Sequence, residues 1–277
     1  GSPGLIVDGY NSPHSFQLKP SHAKMLEQAD IIFWIGEDLE NFLEKPLATI
    51  AKKAEKIELL EIKGIKKLKF RERNIFEEHE GHDDHGDDAK KEEHDDHGHD
   101  AKKEEHDEHG LGEYDPHIWL DPINAKVILN EITEHLIEND SKNASTYKSN
   151  LAKALAKIDK LIIDVITETN TDLNYVVFHD AYQYYENRFN VNILGAMTVN
   201  PDVMPSAEQI HEIHEVIEHD NVSCIVSEPQ FNPDIIKSIA KDTSVKTGVL
   251  DPLGANLKSG KDLYFDLIKN MSASFNC

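Results

Sequence analysis

Histidine is the residue whose placement in this chain asks for a chemical explanation. Sixteen histidines occur among 277 residues, and eight of them (His79, His82, His85, His94, His97, His99, His106 and His109) fall in one run, EEHEGHDDHGDDAKKEEHDDHGHDAKKEEHDEHG, at residues 77–110. The run also holds 16 acidic residues and four lysines, and the heptapeptide AKKEEHD appears twice. With almost no apolar surface to bury, nothing offsets an ordering cost of roughly 1–2 kcal/mol per residue, so the expectation is a disordered insert over 77–113. Carboxylates alone would make a solvated linker. Imidazole is a common metal ligand, so its repetition reads as a collector of metal ions.

Four further residues stand where a folded protein would place ligands. His14 lies in NSPHSF, His117 in DPHIWLDP, His179 in FHDAYQYY just past an apolar run, and Asp251 in DPLG just past another. Taken singly, a loop histidine is an ordinary hydrogen-bonding surface residue, and Asp before Pro is an ordinary turn or cap. Together, three nitrogens and one oxygen suit tetrahedral Zn²⁺. Both readings stay open on the residues alone. HEIHEVIEH at 211–219 lacks the four-residue histidine spacing of a zinc-protease helix and reads as a surface helix. The aromatic cluster Tyr182, Tyr184, Tyr185 and Phe189 reads as helix-to-sheet core, with Tyr182 as the member that could line the cleft, and NAS at Asn143 matches a glycosylation sequon.

Such ligands need a frame. LIV (5–7), IIFWIG (31–36) and KIELL (56–60) read as buried strands, with helices after Pro20 and after Asp38. A helix is expected over about 124–138, and helical apolar spacing from Tyr147 to Ile166 predicts a long one. NYVVF (174–178), VNILG (191–195), VSCIVS (222–227) and VKTGVL (245–250) read as strands. Helices are expected between and after them at 181–188, 206–219, 233–241 and 261–274. The rhythm predicts an α/β protein of two Rossmann-like lobes with parallel sheets, joined by a long rigid helix, with a metal cleft between the lobes. The expected boundaries are a first lobe at 1–140, a linking helix at 141–170 and a second lobe at 171–277.

Composition excludes several function classes. The formal net charge is −23, and no basic stripe exists to hold nucleic acid or an anionic membrane. No run of about 18 apolar residues appears. There is no nucleophile elbow, phosphate-binding glycine loop or CxxC pair. The chain opens on GSPGLIVDGY, with no secretory signal, so this end gives no compartment. The two cysteines, Cys224 and Cys277, are either free thiols or a bridge. The terminal position of Cys277 favours a bridge, worth roughly 4 kcal/mol in the chain-entropy model and suited to an oxidising compartment.

SPHSFQLKPS, the histidine-rich insert, DPHIWLDP, VFHDAYQYYE, VNPDVMPSAEQIHEI, SEPQFNP and DPLGANLKSGKDLY occur in this order along nearly the whole chain. They resemble the ZnuA family, the zinc-binding solute-binding components of bacterial zinc ABC importers. The resemblance implies a non-enzymatic, periplasmic, monomeric protein that carries Zn²⁺ as transported ligand to an ABC membrane permease. It places the three histidine ligands on His14, His117 and His179 and the carboxylate position on Asp251, which water or a loop group replaces in zinc-specific members. Manganese-binding relatives carry Glu at the His179 position, so His implies zinc, in line with the Irving–Williams order. The resemblance also pairs Cys224 with Cys277. Family members precede SPH with a further strand, a helix and a signal peptide, which are not seen here. The alternatives are a manganese-binding relative, an adhesin of the same family, or a zinc hydrolase. For the hydrolase Glu228 would be the general base, although it better suits supporting a ligand.

Overall fold

A computed structural model describes residues 3–71, 73–76, 112–201, 203–241 and 243–277. The eight histidines of the acidic run lie outside the described residues.

The first lobe is built from α1 (Pro20–Gln28), β1 (Ile31–Trp34), α2 (Glu37–Glu40), α3 (Glu44–Thr49) and β2 (Glu55–Glu58). β1 and β2 pair in parallel, Ile31 opposite Glu55 and Trp34 opposite Glu58. Leu26, Ile32, Leu43 and Leu47 pack a small core between this sheet and its helices. The expected strand at LIV does not form: residues 5–7 run irregularly, and Leu5 is exposed. Asp8 then turns the chain, its Oδ1 accepting from the Tyr10 amide at 3.1 Å and from Asn11 Nδ2 at 2.7 Å. Three apolar residues ahead of an Asx-type turn are too few to hold a ladder without a partner strand.

α4 (Pro122–Asn139) and α5 (Ala144–Glu168) follow as an antiparallel pair. α4 starts sharply because Asp121 caps it, accepting from the Ile123 amide, and Pro122 occupies the first turn. α5 runs for 25 residues, about 37 Å at 1.5 Å per residue. It buries a stripe of Ile158, Leu161 and Val165 and leaves Ile163 and Ile166 in solvent.

The second lobe is the better-developed sheet. β3 (Asn174–His179), β4 (Asn192–Thr198), β5 (Val222–Ser227) and β6 (Lys246–Val249) lie in the order β4-β3-β5-β6, all parallel. The intervening helices are α6 (Gln183–Phe189), α7 (Ala207–His219) and α8 (Asp234–Lys241), and α9 (Leu263–Ser274) closes the chain. Every residue of β3 after the first is buried, as expected for a central parallel strand. α7 begins with a capping box between Ser206 and Gln209 and is the surface helix expected, its His211 side chain 74% exposed. Cys224 and Cys277 are disulfide-bonded, with Cα atoms 6.3 Å apart. Beside the bridge the Tyr175 hydroxyl donates to the Phe275 carbonyl, tying the end of the chain to the central strand.

One core runs through both lobes. Ile57, Leu60, Ile118 and Leu120 of the first belong to the same buried cluster as Ile158 and Val165 of α5 and Tyr175, Val226 and Phe265 of the second. A connector of exposed side chains would let the lobes swing, whereas this continuous packing resists it. Residues 73–76 add a second tie. The Phe76 amide donates to Leu194 and the Ala196 amide to Asn74, so the segment pairs antiparallel on the free edge of β4. Gly195 permits that approach, since a Cβ there would stand 2.7 Å from the Asn74 carbonyl oxygen.

Candidate metal centre

β3 and β5 are adjacent while their connections leave in opposite directions, and in such sheets ligands bind at the strands' carboxyl ends at that switch point. His179 is the last residue of β3, and Glu228 follows the last residue of β5. His179 Nδ1 and Glu228 Oε1 lie 2.7 Å apart across the switch point, both side chains almost wholly buried. The neighbouring Asp180 points the other way, where Arg71 of the first lobe holds it at 3.0 Å and also holds Glu186.

His117 arrives from the other lobe on the short helical turn Ile118–Leu120, which leads into Asp121 and α4. Asp115 fixes it: one carboxylate oxygen takes the His117 amide at 2.9 Å and lies 2.7 Å from its Nδ1. Arg188 of α6 grips both Asp121 oxygens at 2.7 and 2.8 Å, clamping the start of α4 to the second lobe. Trp119 Nε1 donates to the Pro252 carbonyl at 2.9 Å, closing the wall opposite. His14 sits on the loop after the first turn, partly buried, its amide donating to Ser12 Oγ at 3.3 Å.

The three rings meet. His117 Nε2 lies 3.3 Å from His14 Nε2 and 3.4 Å from His179 Nε2. Two nitrogens bound to tetrahedral zinc at 2.0–2.1 Å would stand about 3.3–3.4 Å apart. With Asp115 and Glu228 taking the Nδ1 protons, the Nε2 atoms of His117 and His179 face one another as bare acceptors. Two facing lone pairs cannot hydrogen-bond, so the arrangement calls for a cation between them, a proton on His179 or a metal ion.

Electrostatics keep two of the rings neutral. Burial, with repulsion from His117 and His179, holds His14 well below the usual 6.5; burial and His179 do the same to His117. Burial also opposes charge on His179, but Glu228, Asp180 and Asp115 outweigh it and raise that group. Burial raises the Asp115 carboxyl to about 7. Ser12, Pro13, Trp119, Gln230, Phe231, Pro252 and Leu253 complete a cavity of about 10 Å³ around the rings, roughly the volume of one water-sized sphere. It fits an ion and excludes an organic ligand.

Asp251 is not brought into this group. Its Oδ1 accepts from the Leu253 and Gly254 amides at 3.2 and 2.9 Å and from Gln230 Nε2 at 3.1 Å, and its Oδ2 accepts from Ala255 at 2.6 Å. The DPLG turn, with Gly254 at φ +74°, wraps its backbone amides around the carboxylate. Asp251 therefore shapes the loop that carries Pro252 and Leu253 to the cavity. Tyr182 does not line the cavity; it is fully buried behind Glu228. Asp115 is a further functional residue of the site, and its sequence signal is a carboxylate two residues before a candidate histidine, in DPHIWLDP.

Two α/β lobes clamped by a helix around a histidine-lined, ion-sized cavity define a metal-binding protein of the two-lobed solute-receptor kind. The family described as zinc-uptake complex component A, periplasmic (ZnuA) matches residues 2–276, and the chain belongs to that family. It is 44% identical over 284 residues to the high-affinity zinc uptake system protein ZnuA of Brucella abortus (strain 2308), covering 99% of this chain and 84% of that one. The protein of the same description from Yersinia pestis is 36% identical over 278 residues, covering 98% and 82%. A crystal structure of ZnuA superposes with a TM-score of 0.73 at 23% identity, covering 98% of this chain and 88% of that chain, and shares the fold. This is a family of solute-binding proteins for zinc uptake, not of enzymes.

Proposed function

We propose that this protein captures one zinc ion in the cleft through His14, His117 and His179 and delivers it to the membrane permease of an ABC importer in the periplasm. The observation that carries the reading is the meeting of three imidazole Nε2 atoms at 3.3 and 3.4 Å, two of them with Nδ1 committed to a buried carboxylate. Asp251 holds the wall of the cavity, and water takes the fourth coordination position. Zinc here is cargo, so a site assembled from both lobes suits it: separating the lobes would dismantle the ligand set and release the ion. The protein works as a monomer, since each chain supplies the whole set.

In this reading the acidic histidine run collects zinc and hands it to the cleft. Tethered between residues 76 and 112, its histidines would hold metal at roughly millimolar effective concentration near the folded body. Calorimetric titration of the whole chain and of a variant lacking residues 81–110 tests both parts. One tight equivalent should survive the deletion, and the weaker equivalents should disappear. Loss of the tight equivalent would place the strong site in the run and overturn the assignment of the cleft.

A further inference from the structure

Among the described residues a second group of side chains gathers metal-ligating atoms. Glu55, His135 and Glu138 each offer an atom within 4.8 Å of the others. Glu55 begins β2, and His135 and Glu138 lie one turn apart near the end of α4. α4 starts five residues after His117, so His135 lies about 20 Å along the helix from the cleft at 1.5 Å per residue.

The geometry at His135 resembles that at His117. Glu131, four residues earlier on α4, lies 3.1 Å from His135 Nε2 and accepts its proton. Nδ1 is buried and lies 2.9 Å from Glu55 Oε1 without the alignment of a hydrogen bond. An imidazole nitrogen and a carboxylate at that distance share a cation, either a proton, which hydrogen bonds and charge from Glu131 and Glu55 favour against burial, or a metal ion. The ring is held in place by edge contact with Phe33 of β1 at 6.2 Å between centroids, and Asn139 Nδ2 steadies the second Glu55 oxygen at 3.2 Å.

We propose that Glu55, His135 and Glu138 form an auxiliary site for a zinc-like divalent transition ion on the outer flank of the first lobe. One nitrogen and two carboxylates suit Zn²⁺. Glu55 and Glu138 are exposed, so water completes the coordination and the ion enters straight from solution. The site is weaker than the cleft because only the histidine is held by packing. It fills after the cleft, and it neutralises a carboxylate cluster that otherwise crowds one imidazole.

The test uses the full chain with ¹⁵N-labelled histidine side chains, titrated with zinc beyond one equivalent. The His135 signals, assigned by their loss in His135→Gln, should move to the metal-bound pattern only after the cleft is full. Glu138→Gln, an exposed change that leaves folding intact, should shift that step to at least about tenfold higher zinc while the first equivalent binds as before. Two results would overturn the site. One is a His135 that responds to pH but not to millimolar zinc, which would make it a plain ion pair with its glutamates. The other is a zinc step that Glu138→Gln leaves in place.

Discussion

His179 leaves the second lobe from the buried end of a central strand, whereas His14 and His117 leave the first lobe from loops. The second lobe has four paired strands and a disulfide; the first shows two short strands among the described residues. Yet all three nitrogens arrive within 3.4 Å of a neighbour. The difference lies in what replaces strand rigidity in the first lobe. His117 is held by Asp115, by the capped start of α4 and by the Arg188 clamp, so hydrogen bonds do there what sheet packing does for His179. His14 has the fewest constraints of the three, so in the proposed function it would be the first to yield when zinc leaves.

That contrast can be broken experimentally. Replacing His179 by Ala should have the largest effect, lowering zinc affinity by more than the roughly 10–100-fold expected for an orienting group. His14→Ala should cost less, because the two strongly positioned nitrogens remain. Competition against a chelator of known strength measures both, and equal losses would show the three ligands to be equally organised. His179→Glu should in addition lower the zinc-to-manganese affinity ratio, as oxygen replaces a softer nitrogen.

Removing the bridge should affect stability and spare binding. Cys224→Ala with Cys277→Ala should destabilise the second lobe by about 2–4 kcal/mol in denaturant unfolding of metal-free protein. The bond ties α9 to β5 away from the cavity, so zinc affinity should hardly change. A large loss of affinity would mean that the end of the chain orients β5 and Glu228.

The two orienting carboxylates come next. Asp115→Asn and Glu228→Gln should each reduce zinc affinity about 10–100-fold with little change in the fold. If strand packing already fixes His179, Glu228→Gln should sit at the low end and Asp115→Asn at the high end. The reverse order, read by the same competition assay, would reject that account of the two lobes.

The smallest effect concerns Glu40 in the first lobe. Burial raises its carboxyl to about 7, against hydrogen bonds from the Ile35 and Gly36 amides that favour the charge. The folded pKa exceeds the unfolded one, so the ionised group destabilises the fold above pH 7. That penalty fades as pH falls toward the unfolded value of about 4.3. Glu40→Gln should therefore stabilise metal-free protein by about 1–3 kcal/mol at pH 8 and by almost nothing at pH 5. A difference that does not vary with pH in parallel thermal scans would show that folding leaves the Glu40 pKa unshifted.

Much of this arrangement was legible along the chain because it is local. Helical apolar spacing indicates α4 and α5 nearly in full, and continuous apolar runs indicate β3 to β6. DPHIWLDP and FHDAYQYY place two of the three histidines that meet in the cavity at element ends. Sequence expectation and structure part where a local pattern has two outcomes. LIV is apolar enough for a strand but pairs with no strand among the described residues. Asp251 was placed well for a ligand, but its own turn supplies three amides that capture it.

Residue types and spacing by themselves determined that this is an α/β protein with imidazole available at strand ends and in an acidic run, because periodicity and donor chemistry are written within a few residues of one another. Only the tertiary structure decided which atoms meet. The pairing of His179 with Glu228, the arrival of Arg188 on Asp121 and the crossing of residues 73–76 to β4 join positions far apart in sequence. Such contacts depend on strand order and on one shared core, which close-packed burial selects over the whole chain and no short segment encodes.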